Sequence, residues 1–317
     1  GAPGIKAGIK ADDIIIAIDD KSVAGLSLDD IQKKLRGPEG SPVKLTLSRP
    51  GEKEPLEKKL IRANVAVEPV TSRREGNVGY IQIPAFNDRT TAGLKAAVAK
   101  LKKEIGPGIK GYIIDLRDDG GGVLDAAVGV SDAFLDGGEI VSTRGRDPAD
   151  TERYDAKPGD IADGKPIIIL TDNGTASASE IVAGALQDHK RARVVGTQSF
   201  GKGSVQTVIP LDNGAGGALH MTTGRYYTPS GRSIQALGIT PDVAVAQSVT
   251  DDAHELHEWS LPHHLSAESE APPKPKVLPI RPTDDKIKDF QLTYAKGLLE
   301  GPAAAPAKLA HKGKTRG

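Results

Sequence analysis

The 317-residue sequence has no cysteine, no surplus of charge of either sign and no apolar run near the roughly 20 residues that cross a bilayer. Without cysteine, thiol nucleophiles, disulfides and thiolate metal sites are excluded together. Lys and Arg number 42 against 42 Asp and Glu, so no long-range field favours nucleic acid or an anionic membrane surface. A basic-then-apolar start ahead of a cleavage site is missing too, and the first residue is Gly1 rather than Met; any targeting segment is expected upstream. The length leaves room for two domains.

What is present begins as a small α+β module over residues 1–63. Apolar alternation predicts strands over 14–18, 43–47 and 56–62, and Leu28, Ile31 and Leu35 form one face of a helix. Ser27 with Asp30 three residues on caps that helix, and Gly37-Pro38 stops it. From Asn64 the pattern becomes that of an α/β domain, expected to extend to residue 247. Strands are predicted over 78–83, 111–116, 167–171, 192–196, 205–210 and 218–223. A helix carries Leu94, Ala97, Val98, Leu101 and Ile105 inward until Gly106-Pro107-Gly108, another carries Leu124, Ala127, Val128, Phe134 and Leu135, and a third runs over 177–187. Residues 248–317 are rich in Pro, Ala and Lys and read as largely flexible chain with one amphipathic stretch over 287–299.

Chemistry concentrates where strand 167–171 breaks into Asp172-Asn173-Gly174-Thr175-Ala176-Ser177-Ala178-Ser179-Glu180-Ile181, followed by Phe200-Gly201-Lys202-Gly203-Ser204-Val205-Gln206. A serine hydroxyl needs a base to take its proton. His189 and His220 are poorly placed for a Ser-His-Asp triad, and no G-x-S-x-G elbow exists. Lys202 is a candidate base, because glycines on both sides allow a dry, close approach that would lower its pKa. Gln206, four residues on, could orient the amine without adding charge; the alternative is a solvated lysine in a turn. Gly120-Gly121-Gly122 offers free N–H groups between a strand and a helix, which suits an oxyanion; Asp118 and Asp119 disfavour phosphate. Gly122, or else Gly121, could act there with Ala178, unless the triplet is only a flexible turn. His254, His257, His263 and His264 have partly metal-like spacing in a segment poor in core residues, and metal binding is disfavoured. Lys308, Lys312, Lys314 and Arg316 read as a solvated tail. Tyr226-Tyr227-Thr228-Pro229-Ser230-Gly231 fits either a substrate groove or a plain strand and turn.

Two resemblances organise these features. Ala7-Gly8-Ile9-Lys10-Ala11-Asp12-Asp13-Ile14-Ile15 and the order of elements around it resemble a PDZ domain, a peptide-binding module whose carboxylate-binding loop lies ahead of this point; residues 1–63 are therefore expected to be an N-terminally truncated PDZ-like module. Gly-Thr-Ala-Ser-Ala-Ser-Glu-Ile, Phe-Gly-Lys-Gly-Ser-Val-Gln and Arg-Asp-Asp-Gly-Gly-Gly resemble, in their order, the C-terminal processing or tail-specific serine proteases. The likeness runs through about Val245. It implies a Clp-protease or crotonase-like mixed sheet with flanking helices over 64–247. It also implies Ser177 as nucleophile, Lys202 as general base, Gln206 as the residue that orients the lysine, and an oxyanion hole of Gly122 and Ala178. The family's spacing of 25 between nucleophile and lysine selects Ser177 over Ser179. No cofactor or metal is implied. Expected partners are a protein or peptide substrate engaged through its C-terminus and an activating adaptor, with a homo-oligomer also possible for the family and an extracytoplasmic location, bacterial periplasm or membrane-associated. Alternatives from other classes are a peptide-binding scaffold inactive in this form and an acyl-CoA enzyme of the crotonase type.

Overall fold

The structure is a computed structural model. It describes residues 2–10, 13–65, 69–211, 216–249, 256–268, 278–283 and 286–301. The chain divides into two compact units, Gly1–Val67 and Glu68–Gly317.

The first unit holds helix α1 (Pro3–Lys6), strands β1 (Ile14–Ile18) and β2 (Lys21–Ser22), helix α2 (Leu28–Leu35) and strands β3 (Pro42–Ser48) and β4 (Leu56–Ile61). The strands form one antiparallel sheet in the order β2-β1-β3-β4. Along β3 the period of two sends Val43, Leu45 and Leu47 inward, where Ile18, Ile31, Leu35 and Leu60 pack with them. Ser27 caps α2 as its spacing predicts, accepting the Asp30 N–H at 3.2 Å.

The second unit is a mixed α/β body. Its strands are β5 (Thr71–Glu75), β6 (Val78–Gln82), β7 (Gly111–Asp115), β8 (Glu139–Gly145), β9 (Glu152–Asp155), β10 (Ile167–Thr171), β11 (Ala192–Gly196), β12 (Ser204–Pro210), β13 (Ala218–Tyr227) and β14 (Val243–Ala244). Its helices are α3 (Thr90–Ile105), α4 (Leu124–Asp132), α5 (Ala178–Asp188) and α6 (Phe290–Glu300). Six strands form a central sheet in the order β14-β11-β10-β7-β6-β5, parallel except where β5 pairs antiparallel with β6. A second, antiparallel sheet runs β12-β13-β8-β9.

β7 and β10 are buried at every residue, which is why their sequences read as unbroken apolar runs. Tyr112, Ile114, Ile167 and Ile169 point to the face covered by α3, α4 and α5, in one cluster with Leu94, Val98, Ala127, Phe134, Ile181 and Leu186. Ile113, Ile168 and Leu170 point the other way, onto Phe290, Leu292 and Ala295 of α6. The stretch over 287–299 that suggested an amphipathic helix in an otherwise flexible tail thus supplies the cover for a whole sheet face. His254, Pro272 to Pro275 and residues 303–317, with the basic tail, lie outside the described residues. Among the described residues no helix is long and apolar enough to cross a membrane.

Candidate active site

Loops at the carboxyl ends of β7, β10 and β11 meet, and backbone hydrogen bonds lace them together. Thr175 donates its hydroxyl to the Leu116 carbonyl at 2.8 Å, the Ala176 N–H donates to the Asp119 carbonyl at 2.9 Å, and the Phe200 N–H donates to the Thr175 carbonyl at 2.9 Å. Asp172 accepts the N–H groups of Asp118, Gly174 and Thr175 at 2.9–3.1 Å. Carbonyls and amides freed by the strand ends are satisfied by neighbouring loops rather than by water.

Ser177 is the N-cap of α5, with φ 56° and ψ −115°. A left-handed φ at a residue with a Cβ costs about 1–3 kcal/mol and persists only where the surroundings hold it. Here the hold is specific: the Ser177 N–H donates to Glu180 Oε2 at 2.8 Å. Lys202 lies in a glycine-flanked turn before β12, half-buried, while Gly201 and Gly203 are buried. The turn packs so closely that a Cβ at Gly203 would sit 2.2 Å from the Gln235 amide nitrogen, so the flanking glycines are there for close approach.

The Lys202 N–H also donates to Glu180 Oε2 at 2.8 Å. Two contacts of 2.8 Å on one oxygen place the backbone nitrogens of Ser177 and Lys202 within 5.6 Å, twice that distance. Residues 25 apart in sequence therefore share one acceptor. Among the described residues no hydrogen bond joins the Ser177 hydroxyl to the Lys202 amine. Gln206 is exposed on β12 opposite Thr222, just past a bulge at Val205, and no hydrogen bond links it to Lys202. Ser179 is fully buried and gives its hydroxyl to the Asp119 carbonyl at 3.0 Å.

The glycine triplet reaches the nucleophile's turn. A Cβ at Gly121 would lie 2.7 Å from the Ala176 carbonyl, 2.8 Å from the Ala178 nitrogen and 2.9 Å from Ser177 Cβ. Gly121 gives its N–H to Asp119 Oδ1 at 2.8 Å. Gly122 is exposed, and its neighbours bracket it: the Phe86 N–H donates to the Gly121 carbonyl and the Val123 N–H to the Phe86 carbonyl. Among the described residues neither the Gly122 N–H nor the Ala178 N–H is committed to a partner. Two free amides beside a candidate nucleophile can stabilise a developing oxyanion.

Two residues escaped the sequence reading, and a third, Asp119, entered it only as disfavouring phosphate. Glu180, fully buried, also accepts the Ser199 hydroxyl and the Gly201 N–H at 2.7 Å through Oε1; burial pushes its carboxyl up to about 7 against the pull of those donors. Gln235, likewise fully buried, accepts the Gly203 N–H at 3.0 Å and donates to the Leu265 carbonyl and Glu258. Asp119 has one buried oxygen without a partner among the described residues, and burial raises its carboxyl to about 7. The spacing Ser177-x-x-Glu180 at a helix start signals a capping acid; no sequence signal marks Gln235.

A polar cavity of about 590 Å³ opens at the carboxyl ends of β6, β7 and β10, lined among others by Arg73, Tyr80, Asp115, Arg117, Asp172 and Asp289. It contains neither Ser177 nor Lys202. Within it Arg117 pairs with Asp115 at 2.6 Å and Asp289 at 2.8 Å, and Tyr80 donates to Asp115 at 2.6 Å. His257 is buried, stacked on Trp259 with a ring nitrogen 3.2 Å from the Ser199 carbonyl. Among the described residues no group of His, Asp and Glu side chains could hold a metal ion.

The site thus gathers, on a mixed α/β fold, a serine of positive φ at a helix start, a lysine turn held by the same carboxylate and two amides without a partner among the described residues. In comparison with known proteins, the description Peptidase family S41 matches residues 77–245, and PDZ domain matches residues 1–49. The chain belongs to peptidase family S41, whose members are serine peptidases. It is 48% identical over 304 residues to the carboxy-terminal-processing protease of Bartonella bacilliformis, covering 94% of this chain and 69% of that protein. It is 37% identical over 268 residues to the chloroplastic C-terminal processing peptidase of Tetradesmus obliquus, covering 78% of this chain and 56% of that one. Among solved structures, the photosystem II D1 C-terminal processing protease superposes with a TM-score of 0.54 at 34% identity, over 78% of this chain and 66% of its own. The chain thus spans between about half and two thirds of these relatives' lengths.

Proposed function

We propose that this protein cleaves polypeptides near or from their C-terminus, with Ser177 as nucleophile and Lys202 as general base. The observation that carries the reading is the shared Glu180 oxygen, which brings the two backbone nitrogens within 5.6 Å, twice the 2.8 Å of each contact. Ser177 Oγ would attack the scissile carbonyl while its proton passes to the Lys202 amine. The Gly122 and Ala178 N–H groups would receive the tetrahedral oxyanion, and the lysine would return the proton to the leaving amine. Gln206 would orient the amine. The likeness of residues 1–49 to a PDZ domain supports recognition of a substrate's C-terminus by the first unit. The names of these relatives support a processing rather than a purely degradative role. An extracytoplasmic location, an activating adaptor and a homo-oligomer belong to the same reading.

The test is turnover of a peptide with an apolar C-terminus. Ser177→Ala and Lys202→Ala abolish it, while Ser179→Ala retains it. Unchanged cleavage by Ser177→Ala would sink the assignment. A second reading, a scaffold that binds peptides without turnover, is favoured by the lack, among the described residues, of a hydrogen bond between the Ser177 hydroxyl and the Lys202 amine, and by the exposed Gln206. It predicts measurable peptide affinity with no cleavage by the wild type.

A further inference from the structure

A carboxylate that accepts four hydrogen bonds at the site, Glu180, is not one of the groups assigned to the chemistry. Glu180 is fully buried, and among the described residues it faces no cation. Its carboxyl instead takes donors from both halves of the candidate dyad. Oε2 receives the N–H of Ser177 and the N–H of Lys202, each at 2.8 Å; Oε1 receives the Gly201 N–H at 2.7 Å and the Ser199 hydroxyl. Ser199 is itself pinned, because its oxygen accepts the Ile239 N–H at 2.7 Å. With Gln235 on the Gly203 N–H, every amide of the turn 201–203 ends on a buried side chain.

Such expenditure of a buried acid has a physical reason. The Ser177 backbone sits in a left-handed conformation, and the lysine turn is built of glycines; neither holds its shape by its own preference. One rigid planar group touching both fixes them relative to each other, although they belong to different connections of the sheet. An aliphatic side chain of the same volume would fill the space and leave four donors without acceptors.

We propose that Glu180 is a positioning residue that sets the distance between the nucleophile and the base by accepting both backbone N–H groups on one carboxylate oxygen, with Ser199 anchoring the other oxygen. The proposal rests on the Ser177–Lys202 reading. It differs from a packing role in what it makes sensitive: the chemical step should suffer, and peptide binding should not.

The experiment compares Glu180→Gln, Glu180→Leu and Ser199→Ala with the wild type in steady-state cleavage of a peptide, alongside the rate of covalent labelling by a fluorophosphonate. In the labelling, Ser177 Oγ displaces fluoride from phosphorus and its proton passes to the base, so no peptide site is involved. The leucine variant is expected to lose about a hundredfold in kcat and in labelling rate, the scale of an ångström misplacement in a reactive pair, with KM within threefold. The glutamine variant keeps one oxygen for Ser177 and Lys202 and recovers about tenfold of that loss; Ser199→Ala falls between glutamine and wild type. If the leucine variant does not fold, glutamine and Ser199→Ala carry the comparison. Wild-type kcat in either of those two, equal losses in glutamine and leucine, or KM moving with kcat overturns the proposal. Ser177→Ala that still turns over substrate, or a wild type that neither cleaves nor labels, instead overturns the Ser177–Lys202 reading on which it rests.

Discussion

Asp119 and Gly121 show how far single residues behind the free amides constrain them. The Asp119 carboxyl holds the Gly121 peptide through Oδ1 and has Oδ2 buried without a partner among the described residues, so burial raises it from about 3.8 to about 7. A carboxyl whose folded-state pKa is raised contributes stability that is complete below its unfolded value and is lost as pH climbs through the folded value. Between about pH 4 and 7 the wild type should therefore lose stability from this group as pH rises. Asp119→Asn removes the ionisation, so its stability relative to wild type should rise across that window; urea unfolding at pH 4.5 and 7.5 reads it, and a difference independent of pH would contradict the burial argument. Gly121 has φ 95°, and a Cβ there would press on backbone atoms of Ala176 and Ala178 at 2.7 and 2.8 Å. Gly121→Ala should destabilise by about 1–3 kcal/mol and lower kcat more than KM, since the clash pushes apart the two amides. Ser179→Ala removes only a buried hydroxyl bond and should cost about 1 kcal/mol in thermal unfolding. The two serines of this turn could be told apart in the sequence only through a family spacing; the structure separates them by burial and by what each hydroxyl already does.

Elements follow the sequence where burial is one-sided or total, and depart from it where a segment's role depends on distant partners. β7 and β10 were legible because strands covered on both faces are apolar throughout. α6 was legible as a helix but not as a core element, because its stretch of sequence shows an apolar face without showing what that face covers. In the structure Phe290 and Leu292 close the second face of the central sheet over Ile113, Ile168 and Leu170. Phe290→Ala should then cost about 3–5 kcal/mol, measured as a fall in the denaturant midpoint; a loss under 1 kcal/mol would mean that α6 is a mere appendage. Asp289 caps this helix, accepting the Leu292 N–H at 3.0 Å, and also meets Arg117 at the end of β7. The loop that carries the glycine triplet is thereby tied to a helix more than 150 residues away.

For the molecule as a whole, each unit closes its own hydrophobic cluster, one around Val43, Leu45 and Leu47 and the other on the two faces of the central sheet. A unit as small as Gly1–Val67 buries a smaller share of its surface on folding than the larger one, and so is expected to be the less stable. Calorimetry should show two transitions, the lower from the first unit, with Leu47→Ala lowering that one alone; a single transition shifted whole would refute independent cores. The sequence by itself determined the alternation of buried strands and amphipathic helices, the three motifs and their order, because apolar periodicity, turn residues and reactive side chains are local properties. It also marked Gly201 and Gly203 as places of close approach. Only the tertiary structure decided what holds the site: that Ser177 and Lys202 hang on one Glu180 oxygen, that Gln235 completes the lysine turn, and that Gln206 is turned to the outside. Those facts depend on which loops meet at the ends of neighbouring strands, and strand order is not written in any single segment.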